Sequence, residues 1–451
     1  MFRNKVVYFL LFCSSWVNAQ LISSTPFSAQ GIGDIGFYGD AYFTGSAGIV
    51  ASLVDSSQTN LFNPSAYSQV SQSLPLFAMG IGSQTSIYAQ KDNQSIQNFT
   101  NLTHLSLVIP FAKRFGLAFG LKPFSRTGYE IYSNDYVAGD SIFYAYRGSG
   151  SIQEFNLGFA VSILKADNHT LSVGANGKHF FGQLINRRMA YLKNNQTLVG
   201  SFQDDYLNIS SQGLDFGFTY KWRIGTAHQL TLGGIFRPEL GLAGSREEVR
   251  VYFNNLGNVS GYDTLSHVLN SRGKIIVPQS LKVGFSYEFK VNNDTLKKRN
   301  KLPRFIFSGE YGSENWSAYS EFFDEAEVSF LPDFYNSSSI RLALEYTPHR
   351  FAYDKSAYIH FYDRLNYRMG VYQIDLPYHE NNNQLSDVGM SFGVGVPFVL
   401  NRAVSSLNFS MNYGSRSSNW SDGIKEQYLG VCFGFNIAPT YDRWFRKYQL
   451  D

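Results

Sequence analysis

Leu281-Lys282-Val283-Gly284-Phe285-Ser286-Tyr287-Glu288-Phe289-Lys290-Val291 is the stretch on which the fold turns. Leu281, Val283, Phe285, Tyr287 and Phe289 are apolar or aromatic, while Lys282, Gly284, Ser286, Glu288 and Lys290 alternate with them. Successive side chains of a strand point to opposite faces, so this period of two builds one greasy face and one polar or small face. Residues 155–163, 214–222, 407–413 and 429–437 repeat it. A soluble sandwich also alternates, so the choice between sandwich and barrel rests on the number of such segments and on what separates them.

About fourteen segments of this kind start near Leu76, Thr103, Phe115, Phe143, Leu171, Tyr206, Leu230, Ile275, Phe305, Ile340, Leu365, Leu385, Val404 and Ile424. An even number is what single-chain bacterial barrels carry. Short connections at 110–114, 165–169, 223–228 and 400–403 interleave with longer polar stretches at 90–101, 188–203, 254–273 and 375–384. That alternation predicts short periplasmic turns and long outer loops; only 292–302 and 347–356 exceed the short class. Lipid offers no hydrogen-bond partner, so spanning strands must close on themselves. Lys122, Lys178, Lys221, Lys282, Lys290, Asp215, Glu288, Glu310, Arg341 and Glu345 all fall on the face opposite the greasy one. A charge facing the lipid midplane costs roughly 2 to 4 kcal/mol, whereas one in a wet lumen costs little. The expected fold is an all-β, closed antiparallel transmembrane β-barrel of about fourteen strands over residues 76–438.

Composition agrees. The 451 residues include 40 Gly, 30 Tyr and 39 Phe with 16% charged, rich in strand formers and poor in helix formers. A net charge of +3 gives no reason to expect nucleic acid as a partner. Residues 1–19 read as an export signal: Arg3 and Lys5, an apolar run from Val6 to Phe12, then Val17-Asn18-Ala19, placing the mature start near Gln20. Cys13 lies within that signal and follows Phe12, which argues against lipid attachment, so Cys432 is the sole cysteine of the expected mature chain. No later stretch approaches the ~18 to 20 apolar residues of a transmembrane helix.

Residues 20–75 precede the first strand and are too few and too small for a core of their own. They contain Thr25-Pro26-Phe27-Ser28-Ala29-Gln30-Gly31-Ile32-Gly33-Asp34, then Asp55, then Asn60-Leu61-Phe62-Asn63-Pro64-Ser65-Ala66. This order resembles the start of the FadL-type long-chain fatty-acid transporters of outer membranes. It looks closest to the Bacteroidetes branch, with its Thr-Pro-Tyr-Ser-Arg-Tyr/Phe-Gly-Ile-Gly-Asp and Asn-Pro-Ala motifs. Residues 427–436 and the basic aromatic tail 439–451, with Asp442-Arg443-Trp444-Phe445-Arg446-Lys447-Tyr448, resemble the end of that branch. Ala29-Gln30 and Ser65 depart from its motifs.

The resemblance implies a fourteen-stranded barrel, an N-terminal hatch in its lumen, and a kinked third strand that opens sideways into the membrane. Gly31, Gly33, Asp34, Asn63 and Pro64 are the hatch candidates, because glycine admits positive φ and Asn-Pro favours a turn. In the third segment Pro123 removes a ladder donor between Gly120 and Gly128, so Gly120, Pro123, Phe124 and Gly128 are the candidates for the lateral opening. The plainer alternative is a bulge near the rim.

Catalytic chemistry finds no foothold. The eight histidines form no metal-ligand spacing, and no nucleophile stands recognisably beside a base, so no enzyme activity, metal or cofactor is expected. Gly31-Ile32-Gly33 and Gly80-Ile81-Gly82 open no helix and are not phosphate loops. Two functions remain: passive uptake of a hydrophobic, fatty-acid-like small molecule, or a non-transporting plug or scaffold subunit of a larger outer-membrane secretion or barrel-assembly complex. The expected partners are outer-membrane lipid and a hydrophobic ligand, with protein partners under the second reading. An apolar pocket reaching a gap beside Pro123 would favour the first, and a sealed, charge-packed lumen the second.

Overall fold

The computed structural model describes residues 25–35, 39–70, 75–137, 140–193, 198–254, 262–291, 302–324, 333–349, 360–400 and 403–438. The expected signal 1–19 and tail 439–451 lie outside these residues. No described helix is long and apolar enough to cross a membrane.

Among the described residues seventeen strands form one sheet. They are β1 (Leu76–Gln90), β2 (Asn93–Phe111), β3 (Phe115–Val137), β4 (Asp140–Lys165), β5 (His169–Lys193), β6 (Leu198–Ile224), β7 (His228–Arg237), β8 (Leu240–Phe253) and β9 (Tyr262–Val277). There follow β10 (Ser280–Lys290), β11 (Arg304–Glu314), β12 (Ser320–Phe323), β13 (Ser337–Thr347), β14 (Asn366–Glu380), β15 (Asn383–Leu400), β16 (Ala403–Ser417) and β17 (Lys425–Ile437). β7 and β8 both pair with β6, β10 and β9 continue the next stave, and β11 and β12 the one after, so the seventeen strands make fourteen antiparallel staves. β1 pairs with β17 from Phe77↔Ile437 to Ala89↔Lys425, which closes the barrel.

The three divided staves break at one level. Pro238 interrupts the first and Pro278 the second at neighbouring heights, since Arg237 faces Ser280 and Leu240 faces Val277. Proline has no N–H for the ladder. The third stave turns at the same level through the short 3-10 helix Trp316–Ala318.

The greasy face points outward. Phe155, Leu157, Phe159, Leu281, Val283 and Phe285 are exposed, whereas Lys122, Lys178, Asp215, Glu310, Arg341 and Glu345 are buried in the interior. This is the polarity of a membrane barrel, in which lipid faces and lumen faces alternate.

The long outer loops expected from the sequence are corrected. Most of 90–101 belongs to β2, joined to β1 by a turn at Lys91 and Asp92. β5 runs to Lys193 and β6 starts at Leu198, so 188–203 is nearly all strand; β9 likewise begins at Tyr262. Within 375–384 only Asn381 and Asn382 turn, both at positive φ (46° and 61°), a conformation asparagine tolerates. β5 and β6, at 25 and 27 residues, exceed the roughly 9 to 11 that a bilayer needs. Beyond the greasy band, ion pairs such as Arg187–Asp204 (2.6 Å) and Arg246–Asp205 (2.7 Å) hold the ladder together.

Candidate functional site

The N-terminal residues pack against the inward faces of the staves. A one-turn helix, Ala41–Thr44, is capped by Asp40, whose carboxylate accepts from the Tyr42 N–H (3.3 Å) and from Asn436 Nδ2 (2.6 Å). Asn63 caps the 3-10 helix Pro64–Gln69: its Oδ1 accepts from the Ser65 N–H, and its Nδ2 donates to the Ala51 carbonyl (2.7 Å). The Ser65 hydroxyl meets Thr219 of β6 at 2.5 Å. Asn-Pro therefore starts this helix as a cap with proline in its first turn, where the missing N–H is not needed.

Glu310 of β11 is the strongest anchor. Its Oε2 accepts from the N–H groups of Val50 and Ala51 at 2.7 Å each, and its Oε1 accepts from Arg341 at 3.0 Å. Nearby, Glu345 holds both Arg304 (2.6 Å) and Arg368 (2.8 Å), and Arg368 lies 4.2 Å from the centre of the Tyr42 ring. Across the barrel Lys122 and Lys178 share Glu154 at 2.7 and 3.3 Å, and Lys178 also meets Asp215. These buried charges are thus paired with one another and, at Glu310, with segment backbone, which is how buried charge is tolerated.

Space for the segment comes from glycines on the inward faces. A Cβ at Gly116, Gly174, Gly217, Gly233, Gly370 or Gly393 would collide with Tyr67, Pro64, Asn63, Ala51, Ala47 or Gly45 respectively. Those glycines sit on the small face of the alternating pattern, a signal the sequence reading did not use.

Asp55, in the segment, is held below the usual carboxylate range. Burial pushes its carboxyl up, but the Arg304 charge, the Ser57 hydroxyl and N–H, and the Arg368 charge outweigh it.

The lateral-opening candidates lie on β3. Its ladder with β2 runs from Phe111↔Phe115 to Leu105↔Leu121 and extends no further among the described residues. Its ladder with β4 continues from Phe115↔Val161 to Val137↔Asp140, with a register shift between Pro123 and Ser125. Phe124 is the extra residue, turned inward and packed edge-on against Phe180 at 4.8 Å. The proline thus makes a bulge towards β4, while the edge towards β2 is released. Gly120 pairs with Ser106 inside the intact part of the ladder, close to Leu61. Gly128 lies on the released edge.

That edge is met by the hatch candidates. Asp34 and Arg126 exchange backbone hydrogen bonds of 2.8 and 3.0 Å as an antiparallel bridge. Ser28 Oγ accepts from the Gly128 N–H (3.1 Å). Gly31 (φ 56°) and Gly33 (φ 87°) take the left-handed turns that bring Asp34 there, and a Cβ on Gly33 would strike the Arg126 carbonyl. Arg126 spans the gap itself, donating from Nη2 to the Leu102 carbonyl at 3.3 Å. The sequence grouped Asp34 with the hatch and Gly128 with the opening; the structure brings both to the same edge.

Behind the gap lies a cavity of about 170 Å³, with Phe99, Asn101, Arg126, Tyr88, Tyr372 and Val431 among its walls. A second, of about 180 Å³, lies deeper among Lys122, Glu154, Arg237, Lys282, Glu314 and Arg341. Above it an apolar cluster joins Phe27 and Ile32 to Phe124, Phe180, Trp316 and Phe334. No group of three or more His, Cys, Asp and Glu residues able to hold a metal occurs among the described residues.

A closed, greasy-sided barrel of fourteen staves with this occupied lumen defines an outer-membrane protein of the FadL-like fold. Several solved structures share that fold. A Pseudomonas aeruginosa FadL homologue has a TM-score of 0.55 at 10% identity, with 88% of this chain and 97% of that one covered. The Ralstonia pickettii toluene transporter TbuX has 0.53 at 12%, covering 88% and 98%. The Pseudomonas putida toluene transporter TodX has 0.53 at 12%, covering 88% and 97%. No curated protein matches the chain. Residues 1–451 match the BamG family, and the chain belongs to that family. The resemblance read from the sequence therefore holds at the level of the FadL-type fold, and the family carries another name.

Proposed function

We propose that the protein is a passive outer-membrane channel for hydrophobic small molecules, fatty-acid-like amphiphiles among them, entered or left through the gap beside β3. One observation carries this reading: the β2–β3 ladder ends at Leu105↔Leu121, and a cavity opens behind the released edge. A mixed wall of Phe99, Val431, Arg126 and Tyr372 suits a molecule with an apolar body and one polar end. Two fold neighbours are toluene transporters, and the N-terminal motif resembles that of the Bacteroidetes FadL-type branch, which supports the reading. The segment 25–70 acts as hatch and the Asp34–Arg126 bridge as its contact with the gap. No enzymatic step and no cofactor enter the proposal.

A second reading, a non-transporting subunit of an outer-membrane complex, is favoured by the density of buried bonds that fix the segment to Glu310, Thr219 and Asn436. Liposome uptake separates the two. The channel reading expects vesicles carrying the protein to take up a fluorescent fatty acid or toluene faster than empty ones, and Asn101→Trp, which fills the cavity, to reduce the rate several-fold. Equal rates for protein-containing and empty vesicles would overturn it and leave the scaffold.

A further inference from the structure

On the wall that β7, β10, β11 and β13 give to the deeper cavity, positive charge outnumbers negative. The charges that bear on Lys282 are those of Arg341, Glu310, Glu314 and Arg237. With Lys282 itself, three cations face two carboxylates, which leaves one positive charge in excess. Neither carboxylate is open to take it. Glu310 is occupied by Arg341 and by the Val50 and Ala51 N–H groups. Glu314 accepts from Ser280 Oγ (2.9 Å) and from Trp316 Nε1 (2.8 Å), and stands 3.8 Å from Arg237 Nη2, beyond hydrogen-bond reach. Lys282 accordingly forms no hydrogen bond or ion pair among the described residues. Arg237 keeps two buried donors, Nε and Nη2, without a hydrogen-bond partner.

Register brings these groups to one place. Gly312 of β11 pairs with Lys282 on one side and with Ser339 of β13 on the other. A Cβ at Gly312 would stand 2.6 Å from Ser339 Oγ and 3.5 Å from Lys282 Cγ, so the glycine keeps the space between those two side chains open. Arg237 pairs with Ser280, one inward position along β10 from Lys282. Arg237, Lys282 and Ser339 all line the cavity of about 180 Å³.

The donors define the class of ligand. Nε and Nη2 form the edge with which Arg187 grips both oxygens of Asp204 at 2.6 Å each. That planar fork matches two oxygens of one oxyanion. Lys282 and Ser339 approach from other staves, out of the plane of the fork. A tetrahedral oxyanion has oxygens for both sets, whereas a carboxylate has oxygens for the fork alone. The far side of the cavity, where Asp34 and Asp387 share Arg416, is acidic, which confines an anion to the wall of Arg237 and Lys282.

We propose that this wall is a binding site for one phosphate-type oxyanion, held by the Arg237 fork, the Lys282 ammonium and the Ser339 hydroxyl. A buried donor without a partner costs free energy, and the anion removes that cost at Arg237 while neutralising the excess charge. The site depends on neither reading of the function, because occupancy is measured without transport and without a partner.

The test is calorimetric titration of the whole protein, in uncharged detergent and freed of phosphate and sulfate, with inorganic phosphate. One saturable site is expected, with sulfate competing. Lys282→Gln and Arg237→Gln should each weaken binding by about ten-fold or more, with heat-modifiable migration confirming a folded barrel. Lys221→Gln removes a lumen cation that does not line this cavity and should leave binding unchanged. Glu314→Gln removes a competing negative charge but keeps an acceptor for Ser280 or Trp316, so it should tighten binding several-fold, a gain that no folding defect produces. Absence of saturable binding in the wild type, wild-type binding in both Lys282→Gln and Arg237→Gln, or an equal loss in Lys221→Gln would overturn the proposal. Unchanged or weaker binding in folded Glu314→Gln would do the same. So would displacement of phosphate by octanoate at equal concentration, which would assign the wall to a carboxylate.

Discussion

Glu310→Ala tests how the N-terminal segment is held. The carboxylate is 4% exposed and satisfies three donors at once: the Val50 and Ala51 N–H groups and Arg341. Truncation leaves Arg341 buried without this partner and two segment N–H groups unbonded. Breaking a buried pair from one side costs about 3 to 5 kcal/mol. Part of that will be recovered by water entering the space left by the side chain, so about 3 kcal/mol should fall on the docking of residues 49–53. Each 1.4 kcal/mol is a factor of ten, so local opening should become about a hundred-fold more frequent. Hydrogen exchange on detergent-solubilised protein should show this at Val50 and Ala51, with the β15–β17 ladder unchanged. Glu310→Gln, which keeps an acceptor but not the charge, should fall between. Unchanged exchange at Val50 and Ala51 in the alanine variant would refute the anchoring role.

Gly33→Ala places a Cβ against the Arg126 carbonyl at φ 87°, so it should break the Asp34–Arg126 bridge at a cost of about 1 to 3 kcal/mol. The check is faster thiol labelling of a cysteine at Thr127, with barrel migration unaltered. Asp55 has its carboxyl lowered by folding, so its contribution is complete above the ordinary carboxylate range and disappears as pH falls through the lowered value. Exchange at residues 53–58, corrected for intrinsic rate, should accelerate only in that acidic window, and Arg304→Ala should move the onset to higher pH.

The barrel was legible because residues such as 281–289 obey a period of two, and lipid on one side with a charged lumen on the other enforces it. The reach of β5 and β6 was not, because above the greasy band the alternation gives way to ladders fastened by Arg187–Asp204 and Arg246–Asp205, which read as polar loop. Pro123 marked an irregularity in β3, yet a proline cannot say which neighbouring ladder it interrupts. Here β4 keeps its pairing through a bulge while the β2 pairing stops. The Glu310 anchor joins residues about 260 positions apart, a contact set only when the staves close around the segment. The inward glycines were visible, but their meaning depends on what lies opposite.

The central physical claim is that residues 25–35 and 39–70 are bonded inside a closed barrel. Ser52 Oγ lies 2.8 Å from Ser286 Oγ on the inward face of β10, so Ser52→Cys with Ser286→Cys gives a direct test, with Cys432 replaced by serine. Oxidation of the folded protein in outer membranes should link the pair nearly completely, seen as a reducible shift in migration after denaturation. A folded, heat-modifiable barrel whose two thiols stay unlinked and both label freely from water would contradict it.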